Sequence, residues 1–159
     1  MAHEKISAVD RVRAALEAAG LRSRVEEFPA STRTAVDAAA AIGTSVGQIV
    51  KSLIFVSGEV PVLVLMSGSN RLDLARLALI RGMEIRKADA DTVRAATGYA
   101  IGGVPPLGFL TPLPTYIDRD LLQYETIWAA AGTPRHVFAL TPADLVRVTS
   151  GTVATLSVE

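Results

Sequence analysis

The chain has 159 residues, of which 50% are hydrophobic and 20% charged, so it is long and apolar enough to bury a substantial core. Its 16 basic residues balance 16 acidic ones, which excludes a globally positive surface for nucleic acid, and any RNA must be held locally. The absence of cysteine excludes a disulfide framework and a thiol nucleophile. We expect one domain over residues 1–159.

No stretch of the sequence predicts a membrane span or a secretory signal. The longest apolar runs, such as residues 60–66, are far too short to cross a bilayer, and residues 1–5 lack the apolar core of a signal peptide. We therefore expect a cytoplasmic protein.

The N-terminal part predicts two helices around a short strand. Valines and a leucine recur at helical spacing over residues 7–19, which indicates an amphipathic helix. Residues 24–28 predict a short strand that a proline ends. An alanine-rich helix is expected over residues 34–42, closed by Gly43.

Two β runs in the middle of the chain predict a hairpin at the centre of a sheet. They cover residues 49–57 and 60–67 and are separated by a Gly-Glu turn. The second run is apolar on both faces, which is typical of a strand covered on each side. A helix over residues 71–81, capped by Ser69 and Asn70, is expected to cover one of those faces.

The remaining elements complete a mixed sheet with helices outside it. The pattern predicts strands over residues 83–87, 115–118, 126–129, 137–140 and 152–156, and helices over residues 89–97 and 142–148. We expect an α+β fold in which a mixed, barrel-like β-sheet is surrounded by helices.

A loop rich in glycine and proline, residues 98–108, separates helical from strand-like sequence. This glycine loop has the sequence GYAIGGVPPLG. Its glycines let the backbone turn sharply or leave amides uncovered, and its two consecutive prolines restrict the backbone and donate no hydrogen bond. Such a loop can bind a ligand with its main chain, although composition alone favours a tight connection between two elements.

Lys51 is the most conspicuous single residue, because it interrupts the apolar strand over residues 49–56. Strand alternation places it on the same face as Ile49, Leu53 and Phe55. Burying an unpaired ammonium is costly, so the side chain must reach solvent, meet a carboxylate or face a cleft that receives an anion.

Familiar cofactor and catalytic motifs are missing. A P-loop needs a glycine directly before the lysine, whereas Gly47 lies four positions before Lys51, and the glycine loop does not follow GxGxxG. His3 and His136 have no second ligand at metal spacing, and GxSxG is absent, so we predict neither metal nor cofactor nor serine-hydrolase triad. We interpret His136 and Trp128 as structural residues.

Four segments together carry a family resemblance. They are IVKSLIF at residues 49–55, LDL at 72–74, TGYAIGGVPPLG at 97–108 and YID at 116–118. In this order they resemble the YbaK family, which comprises free-standing aminoacyl-tRNA deacylases and the editing insertion of bacterial prolyl-tRNA synthetases. The resemblance covers nearly the whole chain and is most specific in the glycine loop.

The resemblance implies a mixed, barrel-like sheet and hydrolysis of the ester that joins an amino acid to the 3′ end of mischarged tRNA, most often tRNA for proline. Its implied partners are aminoacyl-tRNA and a prolyl-tRNA synthetase, without DNA or membrane. Lys51 would hold the terminal nucleotide through phosphate, and the implied catalytic residues are Lys51, Gly102 and Gly103. The implied substrate-binding residues are Phe28, Tyr99, Val104, Pro105, Pro106, Asp118 and Gly132.

The chemistry of the ester makes this reading possible without a protein nucleophile. A positioned water and backbone amides facing the oxyanion can suffice, since one such donor is worth about 3 kcal/mol. Residues 129–132 are AAAG, where cysteine-specific relatives have a serine and another glycine, which disfavours cysteine and leaves alanine, serine, threonine or a small non-protein amino acid open. Two alternatives remain: a non-catalytic module of this fold that binds aminoacyl-tRNA, amino acid or a synthetase, and an oligomeric structural protein.

Overall fold

The computed structural model describes residues 7–158, which form five α-helices, two short 3-10 helices and eight strands. The α-helices are α1 (Ala8–Ala18), α2 (Ala35–Ile42), α3 (Leu74–Arg81), α4 (Ala90–Thr97) and α5 (Pro142–Thr149). The strands are β1 (Val25–Glu27), β2 (Ile49–Ser57), β3 (Val60–Ser67), β4 (Ile85–Lys87), β5 (Thr115–Asp118), β6 (Ile127–Ala130), β7 (His136–Leu140) and β8 (Thr152–Ala154). The 3-10 helices are Val46–Gln48 and Arg119–Gln123.

All eight strands belong to one mixed sheet. Its order is β1-β7-β6-β2-β3-β5-β8, and β4 pairs with β2 beside this path. The pairs β2–β6, β3–β5 and β5–β8 are parallel, and the other pairs are antiparallel. The predicted mixed sheet with outer helices is confirmed, but over residues 7–158 β1 and β8 do not pair, so the sheet is not a closed barrel.

The central hairpin of β2 and β3 is covered on both faces, as its apolar pattern predicted. On one face Leu63 and Leu65 join the largest hydrophobic cluster, which also contains residues of α1 and α5. On the other face Val62, Val64 and Met66 pack with Leu77 of α3. This two-sided burial fixes the register of β2 and hence the direction in which each of its side chains points.

Local signals placed most helix ends correctly. The hydroxyl of Thr34, for example, caps α2 by accepting a hydrogen bond from the amide of Asp37, and Gly43 ends that helix in the left-handed conformation. The exception is α3, which begins at Leu74 with Asp73 as its cap, not at residue 71 after Ser69-Asn70.

The late start of α3 has a tertiary cause. The C-terminal segment pairs with the residues that were expected to form its first turn: the amide of Asp73 donates to the carbonyl of Leu156 at 2.7 Å, and the amide of Val158 donates to that of Arg71 at 2.8 Å. The extended backbone that this pairing requires cannot also be helical.

Within residues 7–158, no helix has the length and apolarity needed to cross a membrane.

Candidate functional site

A gap between two partners of β2 opens the site. Along one edge of β2, β6 pairs with residues 49–50 and β4 with residues 55–57, so residues 51–54 lie between these two partners. We call this interval the β2 gap. In the antiparallel pairing of β2 with β3, the backbone N–H and C=O of alternate residues point away from β3. Ile54 is one of these residues, because its carbonyl accepts a hydrogen bond from the amide of Ala88 after β4. The N–H and C=O of Ser52 point to the same edge and therefore towards the β2 gap.

A cavity of about 330 Å³ lies at the β2 gap, and we call it the main cavity because it adjoins Lys51 and the glycine loop. Its walls come from β2, β6, the start of α2 and the glycine loop, and they are mostly apolar. The lining residues are Thr32–Ala35, Ala38, Ile49–Leu53, Ile101, Gly102, Val104, Trp128–Ala130 and Val137. A small cavity of about 180 Å³ shares five of them, namely Ser52, Leu53, Ile101, Gly102 and Val104.

Lys51 lies half-buried in the wall of the main cavity. Its Nζ donates a hydrogen bond to the carbonyl oxygen of Asn70. Burial lowers the pKa of Lys51 below the usual lysine range, and the negative charge of Asp118 opposes that shift. The ammonium therefore lies in the cavity wall and is influenced by the carboxylate of Asp118, without an ion pair between them.

Asp118 lies behind Lys51 and is not among the residues that line the main cavity. It is 1% exposed, and its carboxylate accepts hydrogen bonds from the amide of Ser67 at 3.0 Å, from Asn70 Nδ2 at 2.9 Å and from the amide of Asp120 at 3.0 Å. Three donors satisfy this buried charge without Lys51. Asp118 thus holds the turn whose Asn70 carbonyl receives the lysine.

Gly102 forms the cavity wall contributed by the glycine loop. Its φ is +93°, a conformation that favours glycine, and a Cβ placed there would lie 2.8 Å from Cγ of Arg33. Among residues 7–158 the amide of Gly102 has no hydrogen-bond acceptor, whereas the amide of Gly103 donates to Ala100 at 3.0 Å. Gly102 is therefore the glycine of this pair whose amide remains available to a ligand.

Gly103 has a different structural role, because it packs against another loop. Its carbonyl accepts a hydrogen bond from the amide of Gly132 at 2.9 Å, and a Cβ on Gly103 would lie only 2.7 Å from the Gly132 oxygen. Two backbones meet here with no room for a side chain. This contact holds the glycine loop against the segment that follows β6.

The other predicted residues that lie off the main cavity wall are Phe28, Tyr99, Pro105, Pro106 and Gly132. Tyr99 is 1% exposed, and its hydroxyl donates to the carbonyl of Gly108 at 3.0 Å, so it ties the two ends of the glycine loop together. The guanidinium of Arg11 stacks over its ring at 4.5 Å. Phe28 is half-buried; its amide donates to the carbonyl of Arg135 at 2.9 Å, and its carbonyl accepts from Nε of Arg135 at 3.0 Å.

Ser52 is a site residue that sequence reasoning missed. Its Oγ is buried, and it finds no hydrogen-bond partner among residues 7–158. An unsatisfied buried hydroxyl costs about 1–3 kcal/mol, so it needs a reason. Ser52 lies in the wall shared by both cavities, where a ligand could supply the missing partner. The sequence did contain a signal for this residue, namely a hydroxyl side chain next to a lysine in an otherwise apolar strand.

Arg33 was also missed, and tertiary packing alone brings it into the wall of the cavity that Lys51 lines. It is exposed, and its side chain extends along Gly102. No carboxylate within residues 7–158 comes within ion-pair distance of its guanidinium. Its position before α2 gave no indication that the glycine loop packs against it.

The two residues interpreted as structural differ in their surroundings. Trp128 is half-buried, packs against the cluster beneath α2 and also lines the main cavity. His136 Nε2 lies 2.9 Å from Oε2 of Glu27, and this contact joins β7 to β1. His3 lies outside the described residues, within which no three histidine or acidic side chains come close enough to share a metal ion.

Comparison with known proteins identifies the class. Residues 29–148 match the aminoacyl-tRNA editing domain, and the chain belongs to that family. The resemblance seen in the sequence is thereby confirmed. A solved structure described provisionally as a trans-editing enzyme for prolyl-tRNA synthetase has a TM-score of 0.93 and 50% identity, over 98% of this chain and 100% of that one.

Two further relatives are similar at the level of sequence. EbsC of Enterococcus faecalis, whose name describes it provisionally as a Cys-tRNA(Pro)/Cys-tRNA(Cys) deacylase, is 30% identical over 126 residues, which are 78% of this chain and 77% of EbsC. YwhH of Bacillus subtilis, which is uncharacterised, is 33% identical over 122 residues, or 76% of this chain and 78% of YwhH.

Proposed function

We propose that this protein acts in trans to hydrolyse the ester bond of mischarged aminoacyl-tRNA, above all tRNA for proline that carries a small non-cognate amino acid. One observation carries the proposal: in an aminoacyl-tRNA editing domain, Lys51 meets the Gly102 amide and the Ser52 hydroxyl at one cavity, and neither of these two groups has a hydrogen-bond partner within residues 7–158. The descriptions of the trans-editing relative and of EbsC support the choice of tRNA for proline.

In the proposed reaction, water adds to the ester carbonyl, the bond from that carbon to the ribose oxygen breaks, and amino acid and free tRNA 3′ hydroxyl leave. The Gly102 amide is suited to donate to the oxyanion that develops on the carbonyl. Lys51 holds the 3′-terminal nucleotide so that the ester lies over the β2 gap. Ser52 contributes a hydroxyl that can bond to the aminoacyl group or to the attacking water.

The lining of the main cavity favours a small side chain on the substrate. Ala129, Ala130 and Val104 present methyl groups and no polar atom beyond the backbone. Such a wall discriminates by size, at about 1–3 kcal/mol for each methylene. We therefore rank alanine and small non-protein amino acids above cysteine. Because charged tRNA is the substrate, we place the activity in the cytoplasm.

The direct test is a deacylation assay with tRNA for proline charged separately with alanine, serine, threonine, cysteine and proline. We expect hydrolysis of a small non-cognate ester well above the buffer rate, with the prolyl ester spared. A Lys51→Met variant, which removes the ammonium from the cavity wall and keeps the apolar stem of the side chain, serves as the matched inactive control. If the protein binds these tRNAs but hydrolyses none of their esters, the hydrolase proposal is wrong and the protein is a non-catalytic binding module.

A further inference from the structure

We propose that Arg11 of α1 is a positioning residue for the reaction, because it fixes the glycine loop and, through that loop, the amide of Gly102. This inference rests on the proposed function, in which that amide donates to the oxyanion. The helix α1 precedes residues 29–148, the part of the chain that matches the editing domain. A helix outside the matched part would therefore contribute to the reaction.

Arg11 contacts the start of the glycine loop in two ways. Its Nη2 donates a hydrogen bond of 2.8 Å to the carbonyl of Gly98, and its Cζ lies 4.5 Å from the centre of the Tyr99 ring. The second contact is a cation–π interaction, which is stronger where the groups are shielded from water, as the ring of Tyr99 is. One guanidinium thus restrains two successive residues of the loop.

Tyr99 carries this restraint to the other end of the loop. Its hydroxyl donates to the carbonyl of Gly108 at 3.0 Å. A Cβ on Gly108 would lie 3.0 Å from that hydroxyl and 3.2 Å from the Cβ of Ala15, which follows Arg11 by about one helical turn. The helix α1 therefore packs against both ends of the loop, with Arg11 at its start and Ala15 at its end.

The helix α1 also reaches the middle of the loop, by way of Gly132. A Cβ on Gly132 would lie 2.8 Å from the carbonyl carbon of Ala8, the first residue of α1, so the two backbones meet with no room for a side chain. The amide of Gly132 in turn donates to the carbonyl of Gly103 at 2.9 Å. The peptide next to the Gly102 amide is thereby held from the same helix.

The surroundings of Arg11 favour a role in the reaction over a purely stabilising one. No carboxylate within residues 7–158 pairs with its guanidinium, and its Nε is buried there without a hydrogen-bond partner. Such a group stabilises a fold poorly, because its desolvation is only partly compensated. A rigid loop gives the contact a purpose, since a displacement of about 1 Å in a catalytic group can lower a rate about 100-fold.

The test compares Arg11→Met with Arg13→Met, a matched control because Arg13 lies on the same helix, is exposed and pairs with Asp10. The substrate is alanyl-tRNA for proline. We expect Arg11→Met to lower kcat about tenfold and to change KM by less than about twofold, because the Gly102 amide acts on the transition state and not on the bound ester. Arg11→Lys, which keeps a positive charge but not the planar donors, should lie between Arg11→Met and wild type.

The order of the loop supplies a readout that does not depend on hydrolysis. Hydrogen exchange at the amide of Gly132, which bonds to Gly103, reports whether the loop stays in place. Arg11→Met should speed this exchange about tenfold, because a hydrogen bond from a charged donor is lost, and Arg13→Met should leave it unchanged. If urea unfolding shows that Arg11→Met does not fold, Arg11→Lys takes its place in both measurements.

Exchange and hydrolysis together keep this inference separate from the proposed function. If the wild-type protein hydrolyses no ester but Arg11→Met still speeds exchange at Gly132, the fixing of the loop by Arg11 stands and the hydrolase assignment falls. If hydrolysis is observed and Arg11→Met has the kcat of Arg13→Met, the hydrolase assignment stands and the proposal for Arg11 is overturned. A raised KM with unchanged kcat would overturn it as well, because Arg11 would then act on substrate binding.

Discussion

Replacement of Lys51 by methionine should separate catalysis from folding. Methionine keeps the apolar stem of the side chain and removes the ammonium together with its hydrogen bond to the carbonyl of Asn70. A charge-assisted bond of this kind is worth about 1.5–3 kcal/mol, but the variant also no longer pays for desolvating the ammonium, and the two effects oppose each other. Asp118 retains its three N–H donors, so no buried carboxylate is left unsatisfied.

From these contributions we expect the free energy of unfolding of Lys51→Met to lie within about 1 kcal/mol of wild type. Activity should respond quite differently, because removal of one electrostatic group from a reaction site typically lowers kcat by about 100- to 1000-fold. Lys51→Ala should be as inactive as Lys51→Met, but it should also be less stable because it loses the packing of the apolar stem.

The assay pairs urea unfolding with deacylation of mischarged tRNA for proline. Arg22→Met is the control, since Arg22 is an exposed basic residue that lines neither the main cavity nor the small one. Near-wild-type turnover by Lys51→Met would refute the assignment of Lys51 to the reaction. A loss of stability by several kcal/mol would instead refute the argument that Asp118 is satisfied without it.

Three further changes test the loop, the hydroxyl and the charge. Gly103→Ala should lower the free energy of unfolding by about 2–4 kcal/mol, because the new Cβ would meet the Gly132 backbone at 2.7 Å. The control is Gly82→Ala, at a φ of +72° in open space, which should lower it by about 1–2 kcal/mol. Equal urea midpoints for the two variants would contradict the predicted clash. Ser52→Ala should slow deacylation about tenfold without loss of stability, since the hydroxyl has no hydrogen-bond partner among the described residues to lose. An unchanged rate with a lower melting temperature would show that the hydroxyl is structural. Burial lowers the pKa of Lys51 in the folded protein below its value in the unfolded chain. Between these two pKa values, the folded protein has released the lysine proton and the unfolded chain still holds it. The stability of wild type relative to Lys51→Met should therefore rise with pH through that window, and a flat difference in urea unfolding would exclude this.

The sequence by itself determined those features whose causes are local. Thr34 and Gly43 mark the ends of α2 because capping hydroxyls and left-handed glycines act within one turn of a helix. The two-sided apolar run of β3 determined its central place in the sheet. Lys51 and the glycine loop were recognisable for the same reason, since a charge in an apolar strand and a cluster of glycine and proline are visible without a fold.

Tertiary structure alone decided how these parts face one another. The pairing of the C-terminal segment with Arg71 and Asp73 delayed the start of α3. The division of β2 between β6 and β4 opened the gap at Ser52, whose hydroxyl has no hydrogen-bond partner among residues 7–158. Arg33 became a site residue because the glycine loop packs along its side chain. Contacts between segments far apart in the chain depend on packing in three dimensions, which neither periodicity nor composition records.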